Sequence, residues 1–160
     1  MRFEDLVQRH GADLYRYAFW LCRDREQAQD VVQEALLRGW RAFARLRDPA
    51  AGKAWLFSIV RNEHYRLAGR APPVAEVIDL DEVAAPQETF VEMREALMAL
   101  PASYAEPLAL QVLGGFSCAE IASLLGTTEG ATMTRLTRAR QALRRLLAPP
   151  ARRGHREGRS

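Results

Sequence analysis

The sequence predicts an all-α protein: two small helical domains joined by a flexible acidic linker. Three observations predict it. Apolar residues recur at helical spacing almost throughout, and no stretch keeps a convincing strand alternation. Between Ala71 and Met93 the composition changes to six acidic residues and no basic one. Beyond that stretch, a capping box, a turn glycine and a one-signed basic helix follow one another as a helix-turn-helix would. The boundaries read as a domain over 1–70, a Pro-containing linker over 71–86, a second domain over 87–148 and a basic tail over 149–160.

The first helix is read over 3–22, where Phe3, Leu6, Val7, Leu14, Ala18, Leu21 and Cys22 keep to one face. Asp24, with Gln27 three residues on, is a variant capping box that opens the second helix. That helix places Ala28, Val31, Val32, Ala35, Leu36, Trp40 and Phe43 toward a core. Asp30, Gln33, Glu34, Arg38 and Arg41 fall on its other side. Asp48-Pro49 breaks the pattern, and a third helix over about 51–68 carries Trp55, Leu56, Ile59 and Val60.

Pro72-Pro73 opens the acidic stretch, which reads either as a tether or as a segment with a docking role of its own, and helix resumes near Gln87. Pro101 restarts the chain, Pro107 threatens to delay or kink the next helix, and Gly114-Gly115 ends it as a C-cap would. Ser117-Cys-Ala-Glu120 is a capping box for a short helix to Leu125, and Gly126 makes the turn. The last helix, about Thr128 to Ala148, turns Leu136, Ala139, Leu143, Leu146 and Leu147 inward. Pro149-Pro150 stops it, and the polar basic tail lacks the apolar content to fold.

Composition bounds the function. Apolar residues make up 48% and charged residues 27%, which is globular usage and excludes collagen-like or wholly disordered chains. The longest apolar run, Tyr17 to Cys22, is six residues, too short for a bilayer. With no secretory leader expected either, the reading is a soluble cytoplasmic protein without direct membrane insertion. Cys22 and Cys118 do not suggest a disulfide framework and read as structural thiols, with redox sensing the alternative. The net charge of +3 conceals an uneven distribution: +4 over 1–70, −6 over 71–93, +2 over 94–148 and +3 in the tail. Domains of ~70 residues bury only ~60% of their unfolded surface, so two small separate cores are expected to gain stability from partners.

No catalytic constellation is present in the sequence. His10, His64 and His155 are scattered without metal spacing, there is no phosphate-binding glycine loop, and no cofactor is expected. The chemistry points to nucleic acid. The final helix carries Arg135, Arg138, Arg140, Arg144 and Arg145 and, from Ala131 onward, no acid; arginine suits both phosphates and guanine edges. Between Arg38 and Arg70, Trp40, Phe43, Trp55, Phe57 and Tyr65 alternate with cations, a pattern that suits unpaired bases. Core spacing offers the other reading for Trp40, Phe43 and Trp55.

Two blocks then resemble a known family. Asp30-Val-Val-Gln-Glu-Ala-Leu-Leu-Arg-Gly-Trp-Arg-Ala with Ala54-Trp-Leu-Phe-Ser-Ile-Val-Arg-Asn62 resembles region 2 of bacterial sigma factors. Leu100-Pro101 through Gly115-Phe-Ser-Cys-Ala-Glu-Ile-Ala to Arg135-Leu-Thr-Arg-Ala-Arg140 resembles region 4. With only these regions and a short linker, the chain resembles an extracytoplasmic-function (ECF) sigma factor. The resemblance implies a non-enzymatic subunit that binds core RNA polymerase, through the clamp helices of the largest subunit and the flap. It also implies promoter recognition at −10 and −35, DNA melting, and control by an anti-sigma factor that can hold the protein at the membrane. On that resemblance Asp30, Gln33, Glu34, Arg38 and Arg41 match the polymerase-binding surface. Lys53, Trp55, Arg61, Asn62 and Arg66 match the −10 region, and Met133, Thr134, Arg135, Thr137 and Arg138 the −35 region.

The departures matter. Met133 stands where the family usually has a cation, Thr137 where aromatic or His residues are common, Gln111 in place of a usual Arg and Ala105 in place of another. Fewer cations should weaken nonspecific affinity and flatten its salt dependence. Two rivals use the same residues: a helix-turn-helix regulator that never binds polymerase, and a sigma-like decoy for an anti-sigma partner. The N-terminal block argues against the first; support of open-complex formation would exclude the second.

Overall fold

In the computed structural model, residues 2–73 and 93–147 are described. They form seven α-helices and two short 3-10 turns, with no strand. α1 (Phe3–Cys22), α2 (Arg25–Ala42) and α3 (Gly52–Ala68) pack as a three-helix bundle. α4 (Met93–Ala99), α5 (Ala102–Gly114), α6 (Cys118–Leu125) and α7 (Glu129–Leu147) form the second bundle. Most of the predicted linker, the predicted helix restart near Gln87 and the tail lie outside the described residues.

The predicted signals set the boundaries. The Asp24 carboxylate accepts from the Gln27 backbone N–H at 3.0 Å and starts α2. Ser117 and Glu120 exchange both bonds of the capping box at α6, at 3.2 and 2.9 Å, and the bonds from Ser117 lower the Glu120 pKa. Gly126 ends α6 at φ +69°, a left-handed conformation that costs glycine nothing. Pro107 lies inside α5, which runs through it.

α2 corrects one expectation. Its buried stripe is Ala28, Val31, Ala35 and Gly39, all small or slim, and a Cβ on Gly39 would stand 3.3 Å from Phe3 and Leu56. The helix therefore lies close to α1 and α3. Trp40, expected in the core, is 63% exposed. The stripe runs on to Gly39, and the next residue is rotated about 100° away from it. Phe57 and Tyr65, offered as stacking rings, are buried instead.

The second correction concerns the cores. The two bundles share one continuous apolar core rather than holding two separate ones. α1 packs on α5 and α3 on α6. At the junction the Phe57 ring meets Phe116 edge-on, centroids 4.9 Å apart. The signal was hard to read because Tyr17 and Phe57, both wholly buried, serve this second contact as well as their own bundle.

Candidate polymerase and promoter interfaces

α2 turns its polar face to solvent. Asp30, Gln33, Arg38 and Arg41 are exposed and Glu34 is half-buried. Arg38 bridges α2 to α3: its Nε lies 3.6 Å from Glu34 Oε1 and 2.9 Å from Glu63 Oε2. Glu63 is 2% exposed and is also chelated by Arg66, whose Nε donates at 3.1 and 3.2 Å. Glu63 was not singled out in the sequence; a lone acid among apolar helix positions, with arginines three residues on and on the facing helix, is the signal that finds it. Leu37 is 49% exposed and joins Trp40 on the outer side of α2, so the face is amphipathic. Sequence reasoning missed Leu37 and assigned Trp40 inward.

The −10 candidates divide between two sides of α3. Lys53, Phe57 and Arg61, four residues apart, form a stripe toward the second bundle. Lys53 Nζ donates to the Gly114 carbonyl and sits 5.0 Å from the Phe116 ring centroid. Arg61 Nε donates to Glu106 Oε1, and its Nη2 reaches Oε2 at 3.4 Å. The Tyr17 hydroxyl donates to Glu106 Oε1 at 3.2 Å. Burial, then the Glu106 charge, push the Tyr17 phenol well above its ordinary pKa. Burial also opposes the Arg61 charge, but the hydrogen bond and charge of Glu106 outweigh it and the pKa rises. Trp55, Asn62 and Arg66 lie within about 40° of one another on the other side of α3 at 3.6 residues per turn. Asn62 and Arg66 are exposed, and Trp55 is half-buried against Phe43 at 6.4 Å.

α7 shows the same division. Gly130, Met133, Thr134, Thr137, Arg138, Gln141 and Arg144 make one exposed stripe. Arg135 is turned back onto α5. Its Nη1 donates to the Ser103 carbonyl at 3.2 Å, and its guanidinium lies 5.3 Å from the Tyr104 ring centroid. The cause lies in Pro107, which has no N–H to give the carbonyl four residues earlier, and that carbonyl belongs to Ser103. Arg140 donates to Gln111.

A three-helix bundle with an outward charged and apolar face, and a capped two-helix unit with an exposed basic stripe, match two family models. Sigma-70 region 2 covers residues 6–71, and Sigma-70, region 4 covers residues 90–143. The chain is 35% identical over 150 residues to the ECF RNA polymerase sigma factor SigM of Mycobacterium tuberculosis, covering 91% of this chain and 76% of that protein. This chain belongs to the ECF sigma-factor family. SigL of the same organism is 36% identical over 151 residues, covering 87% of this chain and 85% of its own. Among solved structures, the sigma factor resembles RpoE of Bartonella quintana in complex with the anti-sigma factor NepR, at a TM-score of 0.67, 26% identity, and 90% and 97% coverage. It also resembles CnrH in complex with the cytosolic domain of CnrY, at a TM-score of 0.66, 28% identity, and 91% and 86% coverage. A sigma factor is a subunit of transcription initiation and not an enzyme. No described helix is long and apolar enough to cross a membrane.

Proposed function

We propose that this sigma factor docks on the clamp helices of core RNA polymerase through the outer face of α2 and directs the enzyme to promoters. In this reading α7 reads the −35 element as duplex and α3 opens and holds the −10 element in the cytoplasm. The observation that carries the reading is the exposed α2 face itself. Asp30, Gln33, Glu34 and Arg41 surround exposed Leu37 and Trp40, and among the described residues no element covers them. Exposed tryptophan ringed by charge is what a protein interface uses, since aromatic anchors dominate binding energy while rim charges set orientation.

The −10 step requires movement in this proposal. Asn62 is already outward and Arg66 is outward though bound to Glu63, whereas Lys53 and Arg61 are held by Gly114 and Glu106. DNA phosphates compete with those acceptors for the same cations, and drawing the bundles apart uncovers the Phe57–Phe116 junction of their shared core. Flipping a base costs unstacking energy, which contacts to the flipped base and to the backbone would offset. An anti-sigma factor, of the kind bound to RpoE in its solved complex, would act by covering the α2 face or holding the bundles together, including at the membrane.

Charge reversal tests the reading. Asp30→Arg with Glu34→Arg is expected to remove co-elution with core polymerase while duplex binding by the second bundle survives. Retained co-elution of the double variant would refute the docking assignment.

A further inference from the structure

The exposed stripe of α7 has an unusual composition where it would enter the major groove. From Gly130 to Thr137 it holds no charge: Gly130, Met133, Thr134 and Thr137. Met133 is 57% exposed and stands outside the apolar core. The two threonines use their hydroxyl protons inside the helix. Thr134 Oγ1 donates to the Gly130 carbonyl at 3.1 Å, and Thr137 Oγ1 donates to the Met133 carbonyl at 2.9 Å. Arg135 is committed to Ser103 and Tyr104. Arg138 and, further on, Arg144 remain on the stripe as cations for phosphates or a guanine edge.

Only one base presents an apolar group in the major groove, the C5-methyl of thymine. We propose that α7 reads thymine methyl groups through Met133 and the methyls of Thr134 and Thr137, with Arg138 anchoring that face to the duplex. This rests on the assignment of α7 to the −35 element. It makes Met133 a specificity residue in a position where a cation would instead favour guanine or phosphate. With their protons directed to helix carbonyls, the hydroxyls cannot donate to the thymine O4, so readout of thymine by these two residues falls to their methyl groups.

The test uses holoenzyme assembled from this chain and core polymerase. A duplex library randomised over the −35 hexamer is selected for binding, and the selected fragment is then remade with deoxyuridine for each thymidine. Deoxyuridine removes the methyl and leaves every hydrogen-bonding edge unchanged. At one or more positions the substitution should weaken binding about fourfold, the equivalent of roughly 0.8 kcal/mol for a methyl group buried from water. Met133→Ala, an exposed site that spares the fold, should reduce that sensitivity to less than about twofold. Met133→Arg should shift the selected hexamers toward guanine. Deoxyuridine without effect at every position, or full sensitivity retained in Met133→Ala, would overturn the proposal. Selection of no hexamer at all would overturn the −35 assignment itself, a failure distinct from those two.

Discussion

Removing the Glu106 carboxylate would strand Arg61 and the Tyr17 hydroxyl in the contact between the bundles. The Arg61 side chain is 12% exposed and that of Glu106 3%, so solvent screens the pair little. Glu106→Ala should cost about 3 kcal/mol, the usual result of leaving a buried charge unpaired. Glu106→Gln should cost less, because an amide oxygen still accepts from both donors. Urea denaturation of the two variants checks the order. His64 gives a pH signature. Burial, then the Arg70 and Arg61 charges, hold its pKa below the ordinary value. The unfolded chain therefore takes up this proton first. The stability His64 contributes is complete above about pH 6.5 and is lost as pH falls toward its folded pKa. The wild-type Tm should fall more steeply than that of His64→Gln between about pH 6.5 and 5; parallel curves would contradict the account. Its neighbour Cys22, 3.5 Å from His64 Nδ1, has its thiol pushed up to about 11 by burial and by Asp24. Thiolate is the reactive form, so Cys22 should alkylate slowly at neutral pH in the folded protein and faster after unfolding. Little of this was legible in the sequence. Glu106 and Arg61 stand 45 residues apart with no local pattern to join them.

Helices were the most legible level, because caps and periodicity are local. The predicted start and stop of α1 agree with the structure, and Ser117 with Glu120 marks the start of α6. What the sequence obscured was direction. α2 buries glycine and alanine, not its tryptophan, since close helix approach favours small residues over large apolar ones. Pro107 gave a visible warning, but its consequence was not a broken helix. It was a carbonyl left for Arg135. Glycines provide the test at this scale. In an open helical position Gly→Ala stabilises by up to about 1 kcal/mol. Gly11 in α1 has nothing within 4 Å of an added Cβ, so Gly11→Ala should show that gain. A Cβ on Gly114 would lie 2.6 Å from the Phe116 ring, which is itself wedged on Phe57. Gly114→Ala should therefore destabilise by about 1–3 kcal/mol as the ring is displaced. Thermal melts showing the same sign for both substitutions would contradict the packing described.

At the scale of the molecule, the regional charges separated two basic blocks by an acidic stretch, and the order of the blocks pointed to the family that the comparisons show. Sequence periodicity could not reveal that the blocks close on each other, because a contact between α1 and α5 leaves no mark on the spacing of either helix. The closed arrangement places Lys53 and Arg61 against the second bundle while the α2 face stays open. On the proposed function, polymerase is met first, and promoter opening then draws the two cations away. Run-off transcription tests this account most directly. Core polymerase with this chain, on a library of fragments from the source genome, should yield discrete transcripts that core polymerase alone does not make. The Asp30→Arg, Glu34→Arg variant should lose them. A transcript pattern identical to that of core polymerase alone would contradict the account.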